Sequence, residues 1–438
     1  MKIFLNRRAV FYSLLALLML MIFFKYSFSV NIPQIVLTAI ILVVAFIGDQ
    51  NEILSISVCC LPLHNLVDFY LIIGICAIVY SVKYFKLIKP GNAIILGLFM
   101  VLWEFLHSFI DDFNIKTTFG TLITLVFLII VISSNISTID YNFIVKSLSI
   151  VSICICITLL VGCVVDSGLD FKLAMANLQR LGAITEDDVS LINPNTIGII
   201  NIIIVSMLIQ TPIVEGIAKK HIPIFIQCFL LLVFGMLTAS RTFLVLFVIL
   251  LLMTIIALPG NIQKKIWYFL GMVVLFIAFI LVFKLLFPQN FQFFLSRFKV
   301  DVWNGRDSIL TDYNKYMISN LWVLLFGVGL SDFKHKVIDV FEISLSVPHN
   351  GIQEAVVAWG IIGFVFFVLL IITMVNESFK YEGRKNILNF MPLILILSKS
   401  MVGQLLTSNY TILALLIAYL SLCQNYSKTK DITTLSHN

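Results

Sequence analysis

Long apolar runs separated by short polar segments recur from one end of the chain to the other. A helix that crosses a bilayer needs about 20 predominantly apolar residues, within a range of roughly 17–25. Thirteen runs approach or reach this length, and each predicts a membrane-spanning helix. These runs are 10–28, 32–48, 69–85, 93–110, 117–133, 143–165, 195–209, 222–237, 242–258, 266–287, 352–375, 387–401 and 410–423.

The distribution of lysine and arginine predicts one further crossing. Cytoplasmic segments of membrane proteins are rich in these residues, so the basic N-terminal segment is expected inside. The cluster of Lys83, Lys86 and Lys89 falls on the same side only if four crossings precede it. The apolar segment 53–65, which contains Pro62, is predicted to provide the fourth as a short, tilted or broken span. This layout has fourteen passes and places both termini in the cytoplasm.

The composition supports a chain that is embedded in the membrane along its whole length. Hydrophobic residues make up 60% of the sequence and charged residues 12%, whereas soluble domains carry about 25% charged residues. We therefore predict an all-α polytopic membrane protein with about 12–14 transmembrane helices and a single integral-membrane domain over 1–438. Two long loops, 166–193 and 288–350, are predicted outside the cytoplasm. The second has apolar patches of its own and is expected to hold helices on or dipping into the membrane surface.

Four arginines lie on the predicted outer side, and hydrophobicity does not explain them. Arg241 follows Ser240 at the outer end of a predicted helix, and Arg180, Arg297 and Arg306 lie in the two long loops. Arginine forks bind phosphate and diphosphate in bidentate geometry better than lysine does. An arginine at a helix end also reaches for lipid headgroups, and loop arginines are often merely solvated. Both interpretations stay open for each residue taken alone.

His349 stands directly before a long apolar run, between Pro348 and Asn350. Proline suits the entry of a helix, and asparagine is a good N-cap. Gln353 lies four residues after His349, on the same helix face. An imidazole has an unperturbed pKa of about 6.5 and can accept a proton at neutral pH. A general base and a capping or headgroup-facing histidine are both compatible with this stretch.

Metal and nucleotide motifs are missing from the sequence. The eight cysteines lie in or beside apolar runs without metal-ligand spacing, and the large loop has no Asp-x-Asp pair. No Walker loop is present. We expect no metal, no cofactor and no nucleic-acid partner.

Four short motifs in the second half of the chain resemble those of the O-antigen ligase/polymerase superfamily, most closely the Wzy-type polysaccharide polymerases. They are NPN at 193–195, SR at 240–241, GR at 305–306 followed by LFGVG at 325–329, and HN at 349–350 followed by GIIG at 360–363. His349 and Gly360 also fit the family's His-x10-Gly spacing. Val245 departs from the ligases' Arg-x3-Leu pattern, which favours a polymerase over a ligase.

The resemblance implies a GT-C-like, metal-independent glycosyltransferase. Such an enzyme joins sugar chains carried on undecaprenyl diphosphate, as donor and acceptor, at the outer face of the bacterial cytoplasmic membrane. By this analogy His349 is the general base, and Arg241 and Arg306 hold the donor diphosphate. Arg180 and Arg297 are lesser candidates for glycan binding, and Asn350 is a further substrate-binding candidate. Membrane lipids and a chain-length regulator protein are the other expected partners.

Two other functions remain open. A ligase would use the same donor and transfer the polymer to lipid A-core. A lipid-linked sugar flippase would be expected to show internal repeats and charges within the bundle. Here no repeat is evident, and charges within predicted spans are few, chiefly Glu104 and Lys399. The sequence does not distinguish O-antigen, capsule and exopolysaccharide.

Overall fold

A computed structural model describes residues 7–108, 115–182, 192–216, 218–299, 306–330, 350–381, 387–401, 403 and 409–424. These residues form helices joined by turns, and no strand occurs among them. The α-helices are α1 (Arg7–Ser27), α2 (Gln34–Ile47), α3 (Gln50–Leu63), α4 (Phe69–Lys83), α5 (Asn92–Ser108), α6 (Ile115–Ile132), α7 (Tyr141–Asp166), α8 (Phe171–Asn177), α9 (Pro194–Leu208), α10 (Gln210–Glu215), α11 (Ile222–Leu237), α12 (Arg241–Ala257), α13 (Ile262–Leu286), α14 (Pro288–Lys299), α15 (Arg306–Ser319), α16 (Leu321–Phe326), α17 (Gly351–Ser378), α18 (Ile387–Ser400) and α19 (Asn409–Cys423).

Each of the thirteen predicted spans corresponds to an apolar helix. Within the described residues, six helical segments are long and apolar enough to cross a membrane. They are α1, α7, α9 with α10, α11 with the short turn before it, α13 and α17. Seven shorter apolar helices, α2, α4, α5, α6, α12, α18 and α19, account for the remaining predicted spans. The prediction of an all-α polytopic membrane protein is confirmed.

The predicted extra crossing at 53–65 is the helix α3. It has 14 residues, which corresponds to about 21 Å at 1.5 Å per residue and is shorter than a hydrocarbon core of about 30 Å. The helix continues through Pro62, and a capping box of Asp49 and Glu52 begins it. Almost all of its side chains are buried, and it packs against α7. That α3 crosses the membrane stays a prediction.

The chain divides into two compact units, of which the first comprises Met1–Phe69, Asp140–Val302 and Asn386–Leu395. The helix α9 is almost entirely buried in this unit and packs against α7, α11 and α12. Its Asn201 side chain accepts a hydrogen bond from Ser152 Oγ of α7 at 2.7 Å and donates to the Leu231 carbonyl oxygen of α11 at 3.3 Å. Interhelical hydrogen bonds of this kind hold membrane helices together where the hydrophobic effect does not.

The second unit comprises Tyr70–Ile139, Trp303–Lys385 and Ile396–Asn438. In it α17 packs against α5 and α16, and α6 packs against α19. The predicted loop 288–350 contains α14, α15 and α16, whereas 331–349 lies outside the described residues. The predicted loop 166–193 contains α8. The outer location of both loops and the single domain over 1–438 stay predictions.

The helix α17 is broken at Gly360, which has φ 69° and ψ 176°. The break divides a short first limb, 351–359, from a longer second limb, 361–378. Backbone passes close to the break, since a Cβ on Gly360 would lie 2.2 Å from the Leu325 carbonyl oxygen. A Cβ on Gly327, which has φ 82°, would lie 2.4 Å from the Ala358 carbonyl oxygen. Only glycine fits both positions, because each combines a left-handed φ with a close backbone contact.

Candidate functional site

The turn between α11 and α12 brings three of the predicted arginines together in the first unit. It runs from Leu237, the last residue of α11, to Arg241, the first residue of α12. Ala239 has φ 48°, a left-handed conformation that is uncommon for any residue with a Cβ. Ser240 is the N-cap of α12, and its side chain accepts a hydrogen bond from the Phe243 amide at 3.3 Å. The predicted helix start at the Ser240-Arg241 motif is therefore confirmed.

Arg241 and Arg297 join this turn to α14. Arg241 donates from Nη1 to the carbonyl oxygen of Arg297 at 3.2 Å. In the other direction, Nη1 of Arg297 lies 3.5 Å from the carbonyl oxygen of Ala239. Both side chains are partly exposed. The two guanidinium groups are therefore held beside the same turn.

Arg180 reaches the same turn from the loop after α8. Its Nε donates to the Thr238 carbonyl oxygen at 3.0 Å, and Nη2 donates to Oδ1 of Asn195 at 3.1 Å. Burial and the positive charge of Arg297 lower the pKa of Arg180 to about 10, so the side chain is still a cation at neutral pH. Its two hydrogen-bond acceptors are neutral groups, and the neighbouring charge that acts on it has the same sign.

Asn290 is a residue of this region that the sequence did not indicate. The side chain is fully buried, and Nδ2 donates to the carbonyl oxygens of Gln179 at 2.8 Å and Leu237 at 2.7 Å. The Leu181 amide also donates to the Leu237 carbonyl oxygen, at 2.8 Å. These bonds connect α14, the Arg180 loop and the end of α11. A lone asparagine between Gln289 and Phe291 is a weak signal, because its partners are more than fifty residues away in the sequence.

The arrangement suits an anion with several oxygen atoms. Three arginines lie around the N-terminus of α12, which has 17 residues. The first amides of a helix have no intrahelical acceptor, and the helix dipole is positive at that end. Helix N-termini therefore bind phosphate groups, and arginine adds charge-assisted, bidentate hydrogen bonds. We name Arg180, Arg241 and Arg297, with the turn 237–241, the arginine turn.

The other predicted site residues belong to the second unit. Arg306 is the first residue of α15, and His349 lies outside the described residues. Asn350 is the N-cap of α17, as predicted: its Oδ1 accepts from the amides of Ile352 at 2.9 Å and Gln353 at 3.2 Å. Its Nδ2 donates to the Met401 carbonyl oxygen at 3.4 Å. The residue after His349 is therefore fixed to the start of the helix.

Gln353 links the start of α17 to α15. Its Nε2 donates to the Leu310 carbonyl oxygen and to Oδ1 of Asn314, both at 2.8 Å. These two acceptors set the orientation of the amide group. Oε1 is buried and has no hydrogen-bond partner among the described residues. This oxygen is an available acceptor near the start of α17.

Residues 226–368 match the family model described as O-Antigen ligase. This segment belongs to the O-antigen ligase/polymerase superfamily. It contains Arg241, Arg297, Arg306, His349 and Asn350, whereas Arg180 precedes it. No curated protein matches the chain.

The family match has consequences for the class of activity. Members of this family are enzymes, ligases or polymerases, that act on polysaccharides, and the family implies lipid-linked glycan substrates. Together with the apolar helices, the match supports a multi-pass membrane protein with ligase- or polymerase-like function. The predicted superfamily is confirmed.

Proposed function

We propose that the protein is a polysaccharide polymerase of the bacterial cytoplasmic membrane. It joins oligosaccharide repeat units carried on undecaprenyl diphosphate, at the outer face of that membrane. One observation carries this proposal: Arg180, Arg241 and Arg297 meet at the N-terminus of α12, within and beside the segment that matches the family. A cluster of guanidinium groups at a helix N-terminus is suited to a diphosphate.

The arginine turn holds the diphosphate of the donor. Arg241 and Arg297 are partly exposed residues, and Arg180 adds a third positive charge. As the glycosidic bond to the diphosphate breaks, negative charge grows on the leaving oxygen. Fixed positive groups aimed at that oxygen stabilise the transition state more than the ground state. Because the lipid diphosphate is already an activated donor, the proposal assigns no metal to the reaction.

His349 acts as the general base toward the acceptor sugar. It takes the proton of the attacking hydroxyl, whose oxygen forms a bond to the anomeric carbon of the donor glycan. The bond between this carbon and the diphosphate oxygen breaks, and undecaprenyl diphosphate leaves with the electron pair. A positioned base typically contributes about 10²–10⁴-fold in rate. Arg306 and Asn350 stay predicted substrate-binding residues, and Oε1 of Gln353 is available to the acceptor.

A ligase is the second candidate function, because the matching family model is described as O-Antigen ligase. Val245 replaces the leucine of the ligases' Arg-x3-Leu pattern, and this favours the polymerase. The two enzymes share the donor and the bond that is broken, so the arginine turn and His349 keep their roles in both. They differ in the acceptor, which is a second lipid-linked repeat unit for a polymerase and lipid A-core for a ligase. A chain-length regulator stays a predicted partner of the polymerase.

Gel electrophoresis of the reaction products distinguishes a polymerase from a ligase. The purified protein in lipid nanodiscs receives its undecaprenyl-diphosphate-linked repeat unit, first alone and then with lipid A-core. We expect a ladder of products from the repeat unit alone. Transfer only after the addition of lipid A-core would identify a ligase. No product in either reaction, with a repeat unit from the same organism, would contradict both and leave transport of the lipid-linked glycan as the alternative.

A further inference from the structure

The helix α5 lies against the break in α17, although α5 is outside the segment that matches the family. Trp103, Glu104 and His107 of α5 all make hydrogen bonds to the residues around Gly360 or to the turn after α16. Both groups of residues belong to the second unit. From the sequence, Glu104 was notable only as one of the few charged residues within a predicted span.

At the break, three successive carbonyl groups of α17 accept hydrogen bonds from donors outside the helix. In an unbroken helix the carbonyl oxygens of Val357, Ala358 and Trp359 would accept from amides four residues later. Instead the Val328 amide donates to Val357 at 2.9 Å, and the Gly329 amide donates to Ala358 at 2.8 Å. The indole Nε1 of Trp103 donates to Trp359 at 2.9 Å. The break is therefore a joint at which three carbonyl groups of α17 accept from donors outside that helix.

Glu104 holds this joint with both of its carboxylate oxygens. Oε1 accepts from the Leu330 amide at 2.9 Å, and Oε2 accepts from the indole Nε1 of Trp359 at 2.8 Å. The Glu104 side chain is almost fully buried. Leu330 is the last described residue before 331–349, and Trp359 lies ten residues after His349. One buried carboxylate thus binds the Leu330 backbone before the segment that carries the proposed base and the Trp359 side chain after it.

His107 extends the contact by one helical turn. Its Nε2 lies 2.8 Å from the carbonyl oxygen of Phe326, and its Nδ1 lies 2.8 Å from the carbonyl oxygen of Trp103. A neutral ring donates to one of these oxygens, and an imidazolium donates to both. In either case the side chains of His107 and Glu104 lie on the same face of α5 and contact the same turn, 326–330.

We propose that Glu104 is a positioning residue for the reaction, acting through Leu330 and Trp359 to hold the first limb of α17 in place. This inference rests on the proposed function, since that limb begins directly after His349 and Asn350. A carboxylate suits the position because two N–H donors converge on it. Glutamine would accept from one donor and direct its own NH₂ at the other, which leaves a buried donor unsatisfied.

The test compares the full chain in nanodiscs with the variant Glu104→Gln. Hydrogen exchange followed by mass spectrometry is expected to accelerate in peptides that cover 326–330 and 351–359. In the polymerisation assay we expect kcat to fall about 10²-fold, because a displacement of roughly 1 Å in a positioned group has this effect. The KM for the donor should stay within about twofold, because the arginine turn that binds the diphosphate is unchanged.

Two further variants separate positioning from a general loss of stability. Trp359→Phe removes the donor to Oε2 and keeps the aromatic ring, and it should reproduce the fall in kcat. The double variant with Glu104→Gln should lower kcat little further than either single variant, because both substitutions break the same contact. Glu52→Gln makes the same change at a buried glutamate in the first unit, where Oε2 accepts from the Asp49 amide at 2.9 Å. We expect wild-type kcat from this control.

The outcomes distinguish this inference from the proposed function. If the wild type makes polymer and Glu104→Gln shows the hydrogen exchange and kcat of the wild type, the positioning role is overturned. The proposed polymerase function is then unaffected. An equal fall in kcat in Glu52→Gln would also overturn it. No product from the wild type, in either the polymerase or the ligase reaction, would overturn the proposed function and the positioning role together.

Discussion

The Arg241 side chain donates to the backbone carbonyl oxygen of Arg297 across 3.2 Å, so the first residue of α12 is bound to α14. This contact joins two residues that are 56 positions apart in the sequence. Arg180 binds the carbonyl oxygen of Thr238 on the same turn. The three positive side chains are thus ordered before any substrate arrives. Groups ordered in advance lose less entropy on binding and stabilise charge more effectively in the transition state.

Arg241→Lys keeps the positive charge and removes the planar fork that binds two oxygens at once. A hydrogen bond to a charged group contributes about 1.5–3 kcal/mol, so we expect the donor KM to rise about 10- to 100-fold. Steady-state kinetics with the lipid-linked repeat unit measure this change. Arg8→Lys is the matched control, because Arg8 pairs with Asp140 at a solvent-exposed site and such pairs contribute little. A wild-type KM in Arg241→Lys would contradict the assigned role.

Asn290→Ala removes two buried hydrogen bonds, to Gln179 and Leu237. Leaving a buried polar group unsatisfied costs about 1–3 kcal/mol, so the melting temperature should fall. Donor binding should weaken as well, because these bonds connect the Arg180 loop to the rest of the arginine turn. Thermal unfolding and the donor KM are measured in the same detergent. Gln292→Ala, an exposed position two residues on in α14, should change neither.

Gly360→Ala places a methyl group at a backbone with φ 69° and within 2.2 Å of the Leu325 carbonyl oxygen. Replacing glycine by alanine at a compatible backbone stabilises a protein by roughly 0.4–1 kcal/mol, and at an incompatible one it destabilises by more. We therefore expect a loss of stability larger than this value, and loss of product formation. Gly271 is the control, because it lies within α13 and a Cβ added there would meet no atom within 4 Å. Gly271→Ala should be neutral or stabilise the helix by about 0.5–1 kcal/mol. Equal melting temperatures for the two variants would contradict the tight joint at the break.

His349→Ala should abolish product while the protein still inserts and keeps its melting temperature. The loss of a general base corresponds to about 10²–10⁴-fold in rate. His335→Ala is the control, since this histidine lies in the same segment, 331–349, and has no assigned role. Product at wild-type levels from His349→Ala would remove the base from the mechanism.

Much of the architecture follows from local patterns in the sequence. The thirteen apolar runs all correspond to helices, since the length of an apolar run and its flanking polar residues are local properties. The cap at Asn350 was predicted for the same reason. The break in α17 was not predicted, because the apolar run from 352 to 375 has the same hydrophobic pattern whether or not Gly360 interrupts the helix. The close backbone contact between Gly360 and residues 325–326 arises only in the tertiary structure.

The candidate site was predicted as a set of residue types without their arrangement. Arg180, Arg241 and Arg297 were each ambiguous, because a lone arginine at a helix end or in a loop is often only solvated. Their meeting at one turn depends on tertiary contacts through Asn290 and the carbonyl groups of 237–239. Glu104 was recognised as a rare charge, but its partners lie more than 200 residues away.

The central claim is that the arginine turn recognises a diphosphate, and the most direct measurement is the affinity for the lipid carrier itself. Native mass spectrometry or thermophoresis in nanodiscs would compare undecaprenyl diphosphate with undecaprenyl monophosphate, for the wild type and for Arg241→Ala. We predict that the wild type binds the diphosphate at least about tenfold more tightly, as one charge-assisted contact of about 1.5 kcal/mol requires. Arg241→Ala should reduce this preference. Equal wild-type affinities for the two lipids, or a preference that Arg241→Ala leaves unchanged, would contradict the claim.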